Sequence, residues 1–528
     1  MLGLELVVAL GVAVLAGNLV ARRFGFAAPV VLLVAGLLLS VIPAFRGVGL
    51  PPEMVLLLFL PALLFWESLT TSMREIRRFF RGIVLTGTLL VVVTAAAVAA
   101  VAHGLGLSWG TAWLIGAAVA PTDATAVAAL GRALPRRQMT TLRAESLIND
   151  GTALVLYGLA LGFVTGETVI SPAHVAGLFT LSFAGGIATG LVAGWLIFQV
   201  RRRMQDPLLG NVVTVLTPFA TYLLAEEIHA SGVLAVVTCG LFMARVAPLA
   251  ISAQTRQQAT PFWSLTTFLL NGALFVLVGM QLPAAVRGLS GAAVGRGILI
   301  TAAVYVTILL ARLGFLTVTI YVIRALDRRP AQRLLRTTAR GRVVSMTAGF
   351  RGAVSLAIAL AVPTTLPGGT GLPARDMIVF VTAGVVFASL TVQALALPRV
   401  IRWARLPQDT SLDEELDLAR RTATEEALEQ MPQLAGLLGV DADVLDEVHT
   451  QYREHLADTL AEEADDDRAD SVRRRRQYLD LSLALIAHKR HTVVRLRDEH
   501  VIDDTVLRQI QSRLDIEEVR LAGQPEAD

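Results

Sequence analysis

Two carboxylates stand five residues apart inside an apolar stretch, in the run Glu145-Ser146-Leu147-Ile148-Asn149-Asp150. On a helix of 3.6 residues per turn, Glu145 and Asn149 stack at i and i+4, and so do Ser146 and Asp150, with the two pairs about 100° apart. One stripe is then free to make a structural contact while its neighbour faces a pathway. Ionisable groups inside a membrane helix are expensive and mark ion or proton routes. Two carboxylates on one such helix are too costly for helix adhesion alone. A second candidate reads Ala117-Ala118-Val119-Ala120-Pro121-Thr122-Asp123-Ala124-Thr125. Pro121 has no N–H and clashes with the carbonyl four residues earlier, so the helix should break there and leave Ala117 without its partner. Broken backbone at membrane depth is tolerated only where it lines a cavity or is buried in protein. Thr122 and Asp123 then sit where half-helix ends meet, with freed carbonyls, a hydroxyl and a carboxylate available to a cation. The plainer reading is a proline kink with a structural aspartate.

A third interruption, Ala348-Gly349-Phe350-Arg351-Gly352-Ala353-Val354-Ser355, sets Arg351 between two glycines that weaken the helix. A buried arginine needs an anionic or dipolar partner. Arg312 is placed deep enough in its apolar run to neutralise Glu145, or else snorkels to the interface. Of the acids before residue 408, four lie well inside apolar spans: Glu67, Asp123, Glu145 and Asp150. His103, His174 and His229 fall at span ends with no metal-site spacing. Cys239 stands alone in an apolar run, which excludes a disulfide framework and a cysteine metal site.

The elements that must position these groups follow from composition. The chain is 54% hydrophobic and 17% charged, where a soluble domain carries about a quarter charged residues. Residues 408–528 hold 30 of the 43 acids and 15 of the 46 bases, so the tail is about −15 and the rest about +18. Membrane helices need about 20 apolar residues, and residues 1–405 offer thirteen, centred near Ala13, Ala35, Leu60, Val93, Val119, Leu154, Ile187, Pro218, Val236, Ala273, Leu309, Ala357 and Phe387. The eighth and ninth are short and separated only by Glu226 to Ala230.

Each odd-numbered span is followed by arginines: Arg22 and Arg23, Arg74 to Arg81, Arg132 to Arg143, Arg201 to Arg203, Arg245 and Arg256, Arg324 to Arg342, and Arg402 and Arg405. Positive loops face the cytoplasm, which places the N-terminus outside and the tail inside. The N-terminus lacks a basic n-region and a small-residue cleavage site, so the first apolar run is expected to remain. Spans five and twelve are both interrupted and seven places apart, so they run in opposite directions, as inverted repeats of secondary transporters require. The expected architecture is an all-α polytopic membrane protein with a transmembrane domain over 1–405 and an acidic helical cytoplasmic domain over 406–528. In that tail the reversal from Asp465-Asp466-Asp467 to Arg473 reads as a helical hairpin or as part of a regulatory or dimerising domain. No basic stripe with interleaved aromatics points to nucleic acid.

Pro121-Thr122-Asp123-Ala124, Glu145 to Gly151 and Phe350 to Ala357 together resemble the sodium/proton antiporters of the NhaP and animal sodium/proton-exchanger branch, in order and on the expected spans. The resemblance covers residues 1–405. It implies thirteen helices in a core and a dimerisation domain, two crossed discontinuous helices, and a homodimer with an elevator-like movement. It makes Asp150 the carboxylate that binds proton and cation, with Thr122 and Ser146 as further ion ligands. Asn149 marks the electroneutral type. Glu145 would pair with Arg312, and Asp123 and Arg351 would balance half-helix dipoles. Glu67 corresponds to the acid of the third span, although here Trp66 separates it from the Leu63-Leu64-Phe65 triplet.

The mechanism implied is competition for one carboxylate. Protonated Asp150 is neutral; ionised, it holds Na⁺, or K⁺ or Li⁺, with oxygens of Thr122, Ser146 and water. Both loaded forms carry the same charge, and the empty ionised site is too costly to cross. The expected partners are monovalent cations, protons and membrane lipids in the inner membrane, with no resident cofactor and no enzyme activity. A carrier of another small solute would want a larger polar cavity with aromatic or basic groups, and aromatic residues make up only 6% of the chain. A membrane sensor would need an output motif in the tail, and none is present.

Overall fold

The structure, a computed structural model, describes residues 2–45, 55–124, 134–166, 172–204, 206–250, 253–326, 338–363, 372, 374–406, 411–461, 468–499, 501 and 504–522. Among these every regular element is helical. The chain divides into two compact units, Met1–Gln408 and Asp409–Asp528.

In the first unit α1 (Leu2–Phe24), α2 (Ala28–Leu39), α3 (Leu60–Thr70), α4 (Met73–Val84), α5 (Leu90–Gly104) and α6 (Trp109–Val119) lead to the 30-residue α7 (Arg136–Thr165). There follow α8 (Pro172–Arg201), α9 (Pro207–Glu227), α10 (Gly232–Ala250), α11 (Ala253–Arg287) and α12 (Gly291–Leu326). The short α13 (Ala339–Thr347) and α14 (Ala353–Leu360) precede α15 (Arg375–Ala388) and α16 (Ala394–Ala404). Three single π-turns, Val55–Phe59, Leu85–Leu89 and Ser389–Gln393, adjoin α3, join α4 to α5 and join α15 to α16.

All thirteen expected span centres lie in helix. Among the described residues eight helices are long and apolar enough to cross a membrane, and four shorter apolar ones accompany them. The eighth and ninth candidates are separate helices of 21 and 19 residues. The chain reverses between them at His229, whose φ of 57° closes the turn. Loop arginines 132, 328, 329, 333 and 336, and acids 465–467, lie outside the described residues.

Local signals explain the helix starts. Asp206 caps α9 by accepting the N–H groups of Leu208 and Leu209 at 2.8 and 3.3 Å, with Pro207 in the first turn. Ser108 and Thr338 cap α6 and α13 in the same way. Helices approach closely where side chains are absent. A Cβ on Gly36 of α2 would overlap the carbonyl of Val276, and one on Gly279 of α11 that of Leu33. Small residues that let backbones meet are the usual means of holding helices together in lipid. The outer faces are apolar and bare, with Leu4, Val8, Leu15, Leu181, Leu191 and Trp195 exposed. Such faces suit acyl chains and are unsuited to water.

Two buried apolar clusters fill the interior. One includes residues of α1, α2, α3, α10 and α11, the other residues of α5, α6, α12 and α15. Helix α7 contributes Leu147 to the first and Ala153 to the second, and α14 contributes Leu356 and Ile358 likewise. The polar turn of α7 and the start of α14 therefore sit where the clusters meet.

The second unit comprises α17 (Ser411–Leu438), α18 (Ala442–Ala461), α19 (Arg468–Asp498) and α20 (Asp504–Ala522), with α17 packed on α18 and α19 on α20. Arg490 joins the last pair by contacts of 2.6 Å to both Asp515 and Glu518.

Candidate functional site

The polar residues of α7 occupy one arc. Going round the helix from Glu145, the order is Asn149, then Ser146, then Asp150, because a full turn takes 3.6 residues. Glu145 at one edge accepts from Arg312 Nη1 at 2.5 Å, with both side chains sealed from solvent. Arg312 Nε donates to the Ser345 carbonyl of α13 at 3.0 Å. In the middle of the arc, Asn149 Nδ2 donates to Thr122 Oγ1 at 2.6 Å and Ser146 Oγ donates to the Thr122 carbonyl at 2.9 Å. The Glu145–Asn149 stripe thus makes structural contacts, but its two members meet different partners, Arg312 and Thr122. A step of four residues overshoots a full helical turn, and that rotation carries Asn149 away from Arg312 and onto Thr122.

The chain opposite α7 is broken as the proline requires. Helix α6 ends at Val119, and Ala120 makes its last helical bond, to Gly116. The segment then turns through Pro121, Thr122 and Asp123, and its continuation over 125–133 lies outside the described residues. The second break separates α13 from α14. The two interruptions meet: Asp123 N–H donates to the Phe350 carbonyl at 2.8 Å.

Their charged side chains are exchanged across the junction. Arg351, 2% exposed, donates through Nε to the Val119 carbonyl at 2.9 Å and through Nη2 to that of Ala120 at 3.4 Å. A cation thus rests on the C-terminal end of α6. Asp123 Oδ2 accepts from the Ala353 N–H at 3.3 Å, which sets an anion at the N-terminal end of α14. Both placements oppose the helix dipole's partial charge, a favourable arrangement that strengthens away from water. Gly352 is required here because a Cβ would collide with the Asp123 carboxylate. Ser389, in the third π-turn, accepts the Arg351 N–H at 2.9 Å and donates its hydroxyl to Gln393 Oε1 at 2.7 Å.

Beside this junction lies a cavity of about 230 Å³. Glu67 of α3, Thr122 and Asp123 of the break, Ser146 and Asp150 of α7, and Ser355 of α14 all line it. Glu145, Asn149, Arg312 and Arg351 do not. Of the nine residues singled out from the sequence, five therefore share the cavity and four brace its walls. Trp66 stacks on Trp263 with centroids 6.0 Å apart, which leaves the next residue, Glu67, half-buried at the cavity.

Sequence reasoning misses four contributors. Arg143 reads as a loop arginine, but α7 begins at Arg136 and carries it to the cavity wall. Asn271, a lone amide in the apolar run of α11, lines the same wall; its polarity is a usable signal. Ser355 is 1% exposed and its Oγ has no hydrogen-bond partner among the described residues. Ser389 gives no signal, since its role depends on a π-turn from a distant span.

Three carboxyl groups face one arginine around a small space, and as they ionise negative charge comes to exceed positive there, which draws cations. The donor set is oxygen throughout, from carboxylates, hydroxyls and an amide, and suits a hard ion better than a soft one.

Known proteins agree with this chemistry. The family described as sodium/hydrogen exchanger, transmembrane, matches residues 10–403. An uncharacterized Na⁺/H⁺ exchanger of Mycobacterium tuberculosis is 42% identical over 528 residues, spanning 100% of this chain and 97% of that protein. The Na⁺/H⁺ antiporter ApNhaP of Aphanothece halophytica is 31% identical over 403 residues, 75% of this chain and 74% of its own. A sodium, potassium, lithium and rubidium/H⁺ antiporter of Bacillus subtilis is 31% identical over 402 residues, 72% of this chain and 59% of that protein. In fold, the sodium proton antiporter MjNhaP1 of Methanocaldococcus jannaschii superposes with a TM-score of 0.57 at 19% identity, covering 75% of this chain and all of that one. Antiporter relatives, a matching fold and a cavity lined by carboxyl and hydroxyl oxygens in a bundle of apolar helices converge on one assignment: the chain belongs to the sodium/hydrogen exchanger family.

Proposed function

We propose that this chain exchanges a monovalent cation for a proton without net charge movement, with Asp150 binding either one in turn. The observation that carries this reading is the contrast on α7: Glu145 is neutralised by Arg312, whereas Asp150 lines the cavity and, among the described residues, makes no ion pair. A neutral protonated carboxylate and a cation-loaded one have equal charge, so both cross, while a bare buried carboxylate is held back. Thr122 and Ser146 supply further oxygens to the ion, and Glu67 and Asp123 add negative potential. The transported ion is Na⁺. The Bacillus relative named for sodium, potassium, lithium and rubidium supports K⁺ and Li⁺ as further substrates.

In this reading the helices make thirteen crossings, and the two interrupted spans cross as members of inverted repeats. The N-terminus lies outside, and the tail lies in the cytoplasm, on the side of the loop arginines. The protein works as a homodimer in the cell membrane by alternating access.

Proton flux in everted vesicles tests the proposal. Adding NaCl should collapse a preformed pH gradient, and an imposed membrane potential should leave the rate unchanged. Because protons occupy the same carboxylate, the apparent KM for Na⁺ should rise about tenfold for each unit fall in pH below the midpoint of the site. A KM that ignores pH would remove the shared carboxylate, and failure of Na⁺, K⁺ and Li⁺ alike to dissipate the gradient would remove exchange.

A further inference from the structure

Four arginines converge on a second hollow, which shares no lining residue with the carboxylate-lined cavity. Arg340, at the start of α13, and Arg399, Arg402 and Arg405, along and just past α16, line a space of about 550 Å³ together with Trp403. Arg340 lies over the Trp403 ring, 5.7 Å from its centroid. Arg405 reaches the wall through a left-handed turn, at φ 47°, that closes α16. Among the described residues none of the four forms an ion pair. Guanidinium groups gathered in this way repel one another until an anion sits among them.

The surroundings indicate which anion. Val392, Leu395 and Trp403 are 50%, 62% and 55% exposed. Apolar side chains this bare, on a helix of a membrane unit, face acyl chains, and the arginines at its end stand at headgroup depth. Guanidinium forks match phosphate oxygens bidentately. A basic pocket between helix ends at the membrane surface is suited to a lipid headgroup.

We propose that this hollow binds the phosphate of an anionic phospholipid, with Trp403 beside the start of the acyl chains. The bound headgroup bridges α13 and α16, which already pack together. Helix α13 also carries Ser345, whose carbonyl accepts from Arg312, so the lipid steadies an element that holds the Glu145 pair.

Native mass spectrometry of the full chain, offered equal phosphatidylglycerol and phosphatidylcholine, tests this. The chain should retain phosphatidylglycerol preferentially. Arg340→Gln with Arg402→Gln should lower that preference roughly 25-fold, at about fivefold for each arginine near a charged leaflet. Arg202→Gln with Arg203→Gln, two exposed arginines outside the hollow, should leave it unchanged. Equal retention of the two lipids by the native chain, or an equal drop in both double variants, overturns the site. Inorganic phosphate at matching concentration should not displace the lipid; displacement at parity would make this a soluble-phosphate site and overturn the lipid assignment.

Discussion

Glu145 and Asp150 ride on the same helix, five residues apart, and each is 3% exposed. Their surroundings share little else. Glu145 meets a guanidinium at 2.5 Å, whose Nε in turn is held by the Ser345 carbonyl. Asp150 meets a cavity that it shares with Glu67 and Asp123. Burial alone therefore does not separate a carboxylate held in an ion pair from one that lines a cavity. What the neighbouring helix presents to each oxygen decides it. A paired carboxylate has no reason to take up a cation, whereas one that faces other carboxylates across a wettable space has every reason to.

That contrast breaks most sharply at Asp150. Replacing it with alanine should reduce exchange in everted vesicles to the level of vesicles lacking the protein, while thermal melting in detergent holds or rises. Retained exchange would move the chemistry elsewhere in the cavity. The opposite pattern is expected at the other edge of the arc. Glu145→Gln should destabilise the fold by about 3–5 kcal/mol, because it leaves Arg312 buried without a counter-charge. Combining it with Arg312→Gln should recover most of the loss, and an unrecovered melting temperature would show that the two do not act as a pair.

Between the edges the effects shrink. Thr122→Val removes the acceptor of the Asn149 amide, and the lost hydrogen bond should lower stability by about 1–3 kcal/mol. Since Thr122 also lines the cavity, the apparent KM for Na⁺ should rise with it; an unchanged KM would confine Thr122 to bracing. Smallest of all, Ser355→Ala deletes the unpartnered hydroxyl of the wall without leaving a buried group unsatisfied. Stability should hold and KM should shift by a few-fold at unchanged turnover, and no shift in KM would strike Ser355 from the site.

Much of this is legible in the residues. Pro121 dictates a break because a proline cannot donate the N–H that Ala117 needs, and α6 ends at Val119. The cost of charge in lipid singles out Glu67, Asp123, Glu145 and Asp150 without any geometry. Arg143 and Asn149 show where that reasoning stops. Hydropathy places Arg143 in a loop because it marks only the apolar part of a helix, and α7 starts a turn and more before that part begins. The helical wheel does not reveal that Asn149 meets Thr122, because a wheel supplies direction but not what stands there.

The sequence by itself determined the apolar character of the segments, the places where two of them break, and which acids are too expensive to be accidental. These follow from period, composition and the chemistry of proline and glycine, all local properties. The tertiary structure alone decided which charge meets which. Arg351 finds the carbonyls at the end of α6, 232 positions away along the chain, and Asp123 finds the first N–H of α14 at a separation of 230. It also decided that Glu145 is capped by Arg312, 167 positions distant, while Asp150 is left facing the cavity. No local pattern encodes such pairings, because they exist only once the clusters on either side of α7 have packed and brought the broken ends together.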